Sequence, residues 1–333
     1  MARADARSIL VTGGFGFIGS HLVEALLRYD PKARIHVVDD LSRSPINVAQ
    51  YLTGIAGGER VTYDICPLTA YLGRSSLPAF TDVVHLAAVV GPVGVLKHGG
   101  EILRKTASDM YAVVDYARRT HARICDVSTS EVYGGGRDGY CSERDCMMIP
   151  PNVSIRLEYA VAKLACEVAL SNLTAVSDFS ATIVRPFNVA GPRQSPGGGF
   201  VLPRFIHQAL AGEPLTVYGD GTMIRAFTHV RDLAEGILRV MERGKSGRVY
   251  NLGNPANKTT ILDLAREVIR LTGSSSRIAF IDPTTLWGPL YAEANDKYPD
   301  ARRAIEELGW RPRFSLADAI RDTATYIQAG RCD

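Results

Sequence analysis

The sequence lacks most of what marks a secreted, membrane-embedded or nucleic-acid-coating protein. Six cysteines (Cys66, Cys125, Cys141, Cys146, Cys166 and Cys332) are scattered through 333 residues, and none stands in a C-x-x-C pair. The seven histidines do not cluster with them, so neither a metal site nor a disulfide framework is expected. Free thiols in a reducing cytoplasm are the expectation. An excess of one charge is missing too: 38 Lys and Arg face 35 Asp and Glu, a net charge of +3 with the signs interspersed. That gives no reason to expect a nucleic-acid or membrane partner. No 18-residue apolar run occurs, and MARADARSILVTGG has no apolar signal core. Cytoplasmic localisation is therefore expected. No internal repeat or low-complexity tract is visible.

What is present is ordinary globular material, 46% hydrophobic and 22% charged, enough for one large domain or two packed lobes. Short apolar runs alternate with helical patterns over the first two thirds. Strands are predicted at SILVTGG, RIHVVDD, RVTYDI, DVVHLAAVV, RICDVSTS and ATIVRPFN, with a helix such as SHLVEALLRY between them. Strands separated by helices imply βαβ units and a doubly wound parallel α/β sheet of Rossmann type. After Asn188 the texture changes. GPRQSPGGG reads as a loop, followed by mixed helices and short strands. The expected division is 1–187, a cofactor-binding domain carrying the catalytic residues, and 188–333, a smaller mixed α/β substrate lobe with some segments returning to the sheet.

TGGFGFIG, residues 12–19, spaces Gly13, Gly16 and Gly19 as G-x-x-G-x-x-G between a strand and a helix. Such a loop lets the backbone approach a pyrophosphate at a helix N-terminus. About twenty residues on, the second strand ends in Asp39-Asp40. An acid there accepts hydrogen bonds from ribose hydroxyls and repels a 2′-phosphate, which selects NAD over NADP. The alternative is a glycine turn in a generic α/β fold. Asp64 and Ile65 end the third strand, where they would meet an adenine ring; alone, Asp64 is an ordinary turn acid. In RLEYAVAKLACE, Tyr159 and Lys163 are four apart and share one helix face. An ammonium there favours the phenolate and makes tyrosine a usable base. By itself the pair also fits an ordinary surface contact.

Taken together, these motifs identify a resemblance. TGGFGFIG, Asp39-Asp40, HLAA (85–88), STSEVYG (128–134), Tyr159-x-x-x-Lys163, RPFNVAGPR (185–193), GEPLTVYGDGTMIRAFTHVRDLA (212–234) and YNLGN (250–254) are similar to the extended short-chain dehydrogenase/reductases that act on sugar nucleotides. The resemblance spans nearly the whole chain. It implies tightly bound NAD, contacted also by Phe17, Ile18, Leu86, Ala87, Ala88 and Pro186. Thr129 and Tyr159 would hydrogen-bond the sugar 4-hydroxyl, and Lys163 would bind the nicotinamide ribose. Asn188 and Arg193 would lie on the substrate side, Asn188 on the diphosphate. Val217 and Tyr218 would pack by the base, and Arg225 would meet phosphate or ribose. Plain strand core is the other reading of Val217 and Tyr218, and a surface ion pair that of Arg225. A homodimer through the helix around 101–119 and the Tyr159 helix is implied as well.

Within that family the letters around Glu131 divide the chemistry. The 4,6-dehydratases carry an Asp between the Thr and the Glu, and here that position is Ser130. The Thr129-Ser130-Glu131 triplet and Arg156 resemble the UDP-glucuronate decarboxylases, including the UDP-xylose synthases. Their C-terminal Arg-Lys-Pro run corresponds to Lys297-Tyr298-Pro299, which keeps charge but not the bidentate fork. The expectation is a decarboxylase that oxidises C4 of UDP-glucuronate, releases carbon dioxide and yields a UDP-4-keto-pentose or UDP-xylose. UDP-glucuronate 4-epimerase and NDP-sugar 4,6-dehydratase remain the alternative reactions. A catalytically inactive NAD-binding sensor is the alternative of a different class. For Glu131 alone, a carboxylate accepting backbone N–H groups is the other reading.

Overall fold

A computed structural model describes residues 7–134, 139–145, 147, 155–288 and 296–330. Six strands lead the chain: β1 (Ser8–Thr12), β2 (Arg34–Asp39), β3 (Val61–Ile65), β4 (Asp82–His85), β5 (Arg123–Val127) and β6 (Ala181–Pro186). A seventh, Val249–Leu252, joins beside β6. Across the sheet the order runs from Val249–Leu252 through β6, β5, β4, β1 and β2 to β3, and every pairing is parallel. The strands are almost wholly apolar because both faces are covered. On one face Ile9, Val11, Val84 and Val184 pack with Leu22, Leu26, Leu233 and Ile237, from the helices Phe17–Tyr29 and Val230–Arg243. On the other, Leu10, Val83, Ile124 and Ile183 meet Met110, Val113, Cys166 and Leu170, from the helices Ile102–Thr120 and Ile155–Val176. Each such side chain contributes about 1.5–3 kcal/mol of burial free energy.

Two strands stop earlier than their apolar runs predict. Strand β4 ends at His85 because the Leu86 N–H turns to the Thr12 carbonyl at 3.2 Å and the Ala87 N–H to the Thr12 hydroxyl at 3.1 Å. Strand β5 ends at Val127, and Thr129 caps a short 3-10 turn, Ser130–Tyr133. Both departures occur at C-terminal strand ends, where ligands bind open α/β sheets.

Beyond Asn188 a second core forms around Leu202, Phe205, Leu215, Val217, Leu264, Val268 and Ile320. It is built from the helices Val201–Leu210, Ile261–Thr272 and Leu316–Gln328 and from the strand Leu215–Tyr218, which pairs in parallel with Ile278–Ile281. Trp310 and the helix Arg302–Leu308 pack instead with the sheet. By length and composition the helix stretch Leu157–Val176 is apolar enough to cross a membrane. In the fold its inner face carries Lys163, Glu167 and Leu170, all buried, while Val168 and Val176 are exposed.

Candidate active site

The cofactor cradle is built by close backbone contact. Gly13 adopts φ +69°, and a Cβ there would meet the Ala87 nitrogen at 3.0 Å. A Cβ on Gly19 would lie 2.1 Å from the Gly13 carbonyl oxygen, so only glycine lets the helix start against the loop. The helix Phe17–Tyr29 begins at Gly16 with no side-chain cap and no acid in its first turn. Its leading N–H groups are therefore free to face an anion. Asp39 Oδ2 accepts from the Phe15 N–H at 2.9 Å, and Oδ1 accepts from the Leu41 N–H at 2.8 Å. Burial pushes this carboxyl up, but the backbone N–H groups of Leu41, Phe15 and Gly16 need its oxygens as acceptors, and the carboxylate has acceptor capacity left for a ribose hydroxyl. These features fit the adenosine diphosphate half of NAD. Asp40 points to Ser42 and, at 3.7 Å, to Lys105. Phe17, Ile18, Leu86, Ala87, Ala88 and Pro186 are all half-buried around the strand ends.

At the end of β3, Asp64 takes Arg74 at 2.8 Å and His36 at 3.2 Å, so its carboxylate is already shared between two partners. Ile65 beside it leaves 46% of its surface exposed. The Asp64 side chain keeps 31% of its surface, so both residues leave some surface open at this strand end.

The candidate catalytic groups lie where β5 ends. The Thr129 hydroxyl accepts from the Glu131 N–H at 3.1 Å. Its own proton is thereby directed to the Tyr159 oxygen, to which it is also hydrogen-bonded. Tyr159 is buried, and burial pushes its hydroxyl up, opposed by Lys163 and by Thr129. Lys163 is 1% exposed and donates to the Val127 carbonyl at 2.9 Å. Burial opposes its charge, yet Asp126, 4.0 Å away, holds the ammonium above the ordinary lysine range.

The strand end rests on a buried ion pair. Arg185 Nη2 meets Glu167 at 2.5 Å and Nε donates to the same carboxylate at 3.0 Å, while the Ser128 hydroxyl donates to Glu167 as well. Arg185 Nη1 also donates to the Tyr133 hydroxyl at 2.8 Å. The neighbouring Lys297 is 1% exposed, and its ammonium donates to Glu131 Oε1 at 2.5 Å. Lys297 reaches this place because the segment after 296 runs beside the Ile224–Ala226 strand in a bridge with Arg225, and beside Cys141 through Pro299. Glu131 is thus half of an ion pair. Ser130 is 5% exposed next to it.

Several sequence expectations change. The Val217 side chain is wholly inside the second core, as the strand-core reading has it, while the alternate residue Tyr218 is half-buried with the Arg204 guanidinium 4.0 Å above its ring. Arg193 bonds Ser20 at 3.2 Å and Glu24 at 2.5 Å and lies over Tyr51, so it ties the 188–199 segment to the cofactor helix. Arg225 is 6% exposed, which rules out a surface ion pair, and its Nη1 donates to the Ile224 carbonyl. Asn188, at φ +34°, donates to the Ala226 carbonyl at 3.3 Å. The Arg156 side chain and Cys146 and Cys332 lie outside the described residues. Asp126, Glu167, Arg185 and His85 are buried neighbours of the candidate site that sequence reasoning missed. Asp126 had a visible signal, an acid inside the apolar strand RICDV.

The family model for the NAD dependent epimerase/dehydratase family matches residues 9–253. The UDP-N-acetyl-alpha-D-glucosaminuronate decarboxylase of Bacillus cytotoxicus is 31% identical over 324 residues, 96% of this chain and 97% of that protein. UDP-glucuronic acid decarboxylase 1 of Xenopus tropicalis is 31% identical over 98% of this chain and 74% of its own length. Among solved structures, the UDP-glucose 4-epimerase of Thermotoga maritima, with UDP-glucose, superimposes with a TM-score of 0.83 at 25% identity, covering 97% of this chain and 99% of that one. The UDP-glucuronic acid 4-epimerase of Bacillus cereus, with UDP-glucuronic acid and NAD, gives 0.80 at 27% identity, with the same coverage of 97% and 99%. The chain belongs to the NAD-dependent epimerase/dehydratase family and is an NAD-dependent sugar-nucleotide enzyme.

Proposed function

We propose that the protein decarboxylates a UDP-linked uronic acid, with UDP-glucuronate the first substrate to test. The observation that carries this reading is the buried Lys297 ammonium paired with Glu131 beside Ser130 and Thr129. Bound NAD supplies the acceptor for the hydride from C4 of the sugar. Tyr159, with Thr129 on its oxygen and Lys163 behind it, takes the 4-hydroxyl proton. The resulting C4 ketone turns the C5 carboxylate into a β-keto acid. Its C–C bond breaks to release carbon dioxide, and the electron pair passes to the ketone oxygen as an enolate. Thr129 and the Tyr159 hydroxyl stabilise that oxygen. Lys297 offers a buried ammonium on the Glu131 side, suited to anchoring the carboxylate and to directing the proton returned to C5. A 4,6-dehydratase needs an acid between Thr129 and Glu131, and Ser130 is a poor one.

The names of the relatives support decarboxylation and add a second substrate, UDP-N-acetylglucosaminuronate. Each UDP-uronate labelled at its carboxyl carbon should be incubated with the enzyme, and the products separated by chromatography against epimer standards and weighed by mass spectrometry. Labelled carbon dioxide and a UDP-pentose or 4-keto-pentose are expected. Conversion of UDP-glucuronate to UDP-galacturonate without carbon dioxide would replace this reading with 4-epimerisation.

A further inference from the structure

Asp126 sits in the middle of the sheet, on β5 between β4 and β6. It is fully buried, and neither carboxylate oxygen has a hydrogen-bond partner among the described residues. Burial pushes the Asp126 carboxyl up, opposed by Lys163, so its charged form is costly unless a cation compensates it. The neighbours decide which charge that is. Asp126 lies two residues beyond Ile124 and so shares its face, toward the helices Ile102–Thr120 and Ile155–Val176. Across β4 its register partner is His85, whose Nδ1 is 2.8 Å from the Thr12 hydroxyl; burial and Lys163 push that imidazole down to about 3, so it is neutral. Across β6 the register partner is apolar Ile183. From Ile155–Val176 come Lys163, at 4.0 Å, and Glu167, which is committed to Arg185 and Ser128. From Ile102–Thr120 come Thr106 and Asp109, both buried, with Asp109 pushed up to about 6 by burial. Lys163 is thus the one cation within ion-pair distance of Asp126 among the described residues.

We propose that Asp126 is a positioning residue for the reaction: its carboxylate is the counter-charge that holds the Lys163 ammonium and divides that ammonium's field between itself and the Tyr159 phenolate. A lysine facing Tyr159 alone would stabilise the phenolate fully. With Asp126 behind it, part of that field is cancelled, and Lys163 keeps its proton to higher pH. The protein thereby trades some acidity of Tyr159 for a lysine that stays charged throughout the working range.

The inference rests on Tyr159 as the proton acceptor, not on the identity of the sugar, so its test needs no substrate. The NAD-loaded enzyme is titrated by ultraviolet difference absorbance, each protein being compared with its own Tyr159→Phe counterpart to isolate the Tyr159 signal. Asp126→Asn keeps the shape and removes the charge, and should lower the Tyr159 midpoint by about one pH unit. Asp126→Glu should return it toward wild type. Asp126→Ser serves if the asparagine variant does not fold. A midpoint unchanged in the neutral variants, with only the melting temperature lowered, overturns the proposal. Loss of the decarboxylase reading would leave this titration unaffected, so the two failures are distinguishable.

Discussion

Tyr159 is asked to act as a base from a buried position, and burial alone works against it. Two groups around the hydroxyl offset that cost, the directed Thr129 proton and the Lys163 ammonium, while the Glu131 and Asp126 charges add to it. Tyr159→Phe should therefore lower turnover by about 10²–10⁴-fold while leaving NAD binding intact, read by steady-state rates and by fluorescence titration with NAD. Equal turnover in both proteins would remove Tyr159 from its role. In the proposed reaction Lys297 acts at a later step. Lys297→Met should slow carbon dioxide release by about 10²-fold and leave the first reduction of NAD nearly unchanged, with Lys297→Arg intermediate. Stopped-flow absorbance of NADH against carbon dioxide capture separates the two steps, and equal losses in both would place Lys297 in binding. None of this partnership could be read along the chain, because Glu131 and Lys297 are 166 residues apart. The acid at 126 could be seen, but its partner could not, since only the sheet-to-helix packing brings Lys163 to it.

At the scale of single elements, strand and helix identity follow from apolar periodicity, whereas their ends do not. DVVHLAAVV reads as one run, yet pairing stops at His85 because Thr12 captures the next two N–H groups. Residues 215–218 make a strand too short to reveal which alternate side chains face inward, and so Val217 and Tyr218 look alike in sequence. The glycine loop is the opposite case, since its spacing states its geometry. Gly19→Ala should disrupt cofactor binding, because the new methyl would lie 2.1 Å from the Gly13 carbonyl oxygen and one of the two backbones must move. Isothermal titration should show NAD affinity reduced by at least about tenfold, or about 1.4 kcal/mol. Unaltered affinity would mean that the loop yields without cost.

For the molecule as a whole, acid should be a stronger threat than alkali near neutrality. His21 is pushed down to about 3 by burial and by Arg193, and His85 to about 3 by burial and Lys163. In the unfolded chain both protonate near 6.5. Between about pH 6.5 and 3 the unfolded state binds more protons, and stability falls as pH falls through that window. Asp109, at about 6, acts oppositely, since the native state holds its proton first, but it offsets only part of two histidines. Chemical denaturation at about pH 7.5 and about pH 5.5 should show the lower stability at the acid value, and a flat profile would refute this balance. The helices Ile102–Thr120 and Ile155–Val176 pack together and leave Leu103, Tyr111 and Val168 45%, 56% and 49% exposed. A second copy of the chain is the proposed cover. Light scattering should give a dimer, and Tyr111→Asp with Val168→Asp should give a folded monomer; a monomeric wild type would end that proposal.

The Lys297–Glu131 clasp also bears on the order in which a ribosome delivers this protein. The glycine loop, Thr129, Tyr159, Lys163 and the strand Val249–Leu252 have all been synthesised before residue 260. A nascent chain at that stage carries the parts for binding NAD and withdrawing a proton, but not the ammonium opposite Glu131. Oxidising capacity is therefore encoded ahead of the group assigned to steer the ketone once it has formed. Polypeptides cut short between those points would also lack Leu308 and Trp310 from the sheet core and Ile320 from the second core.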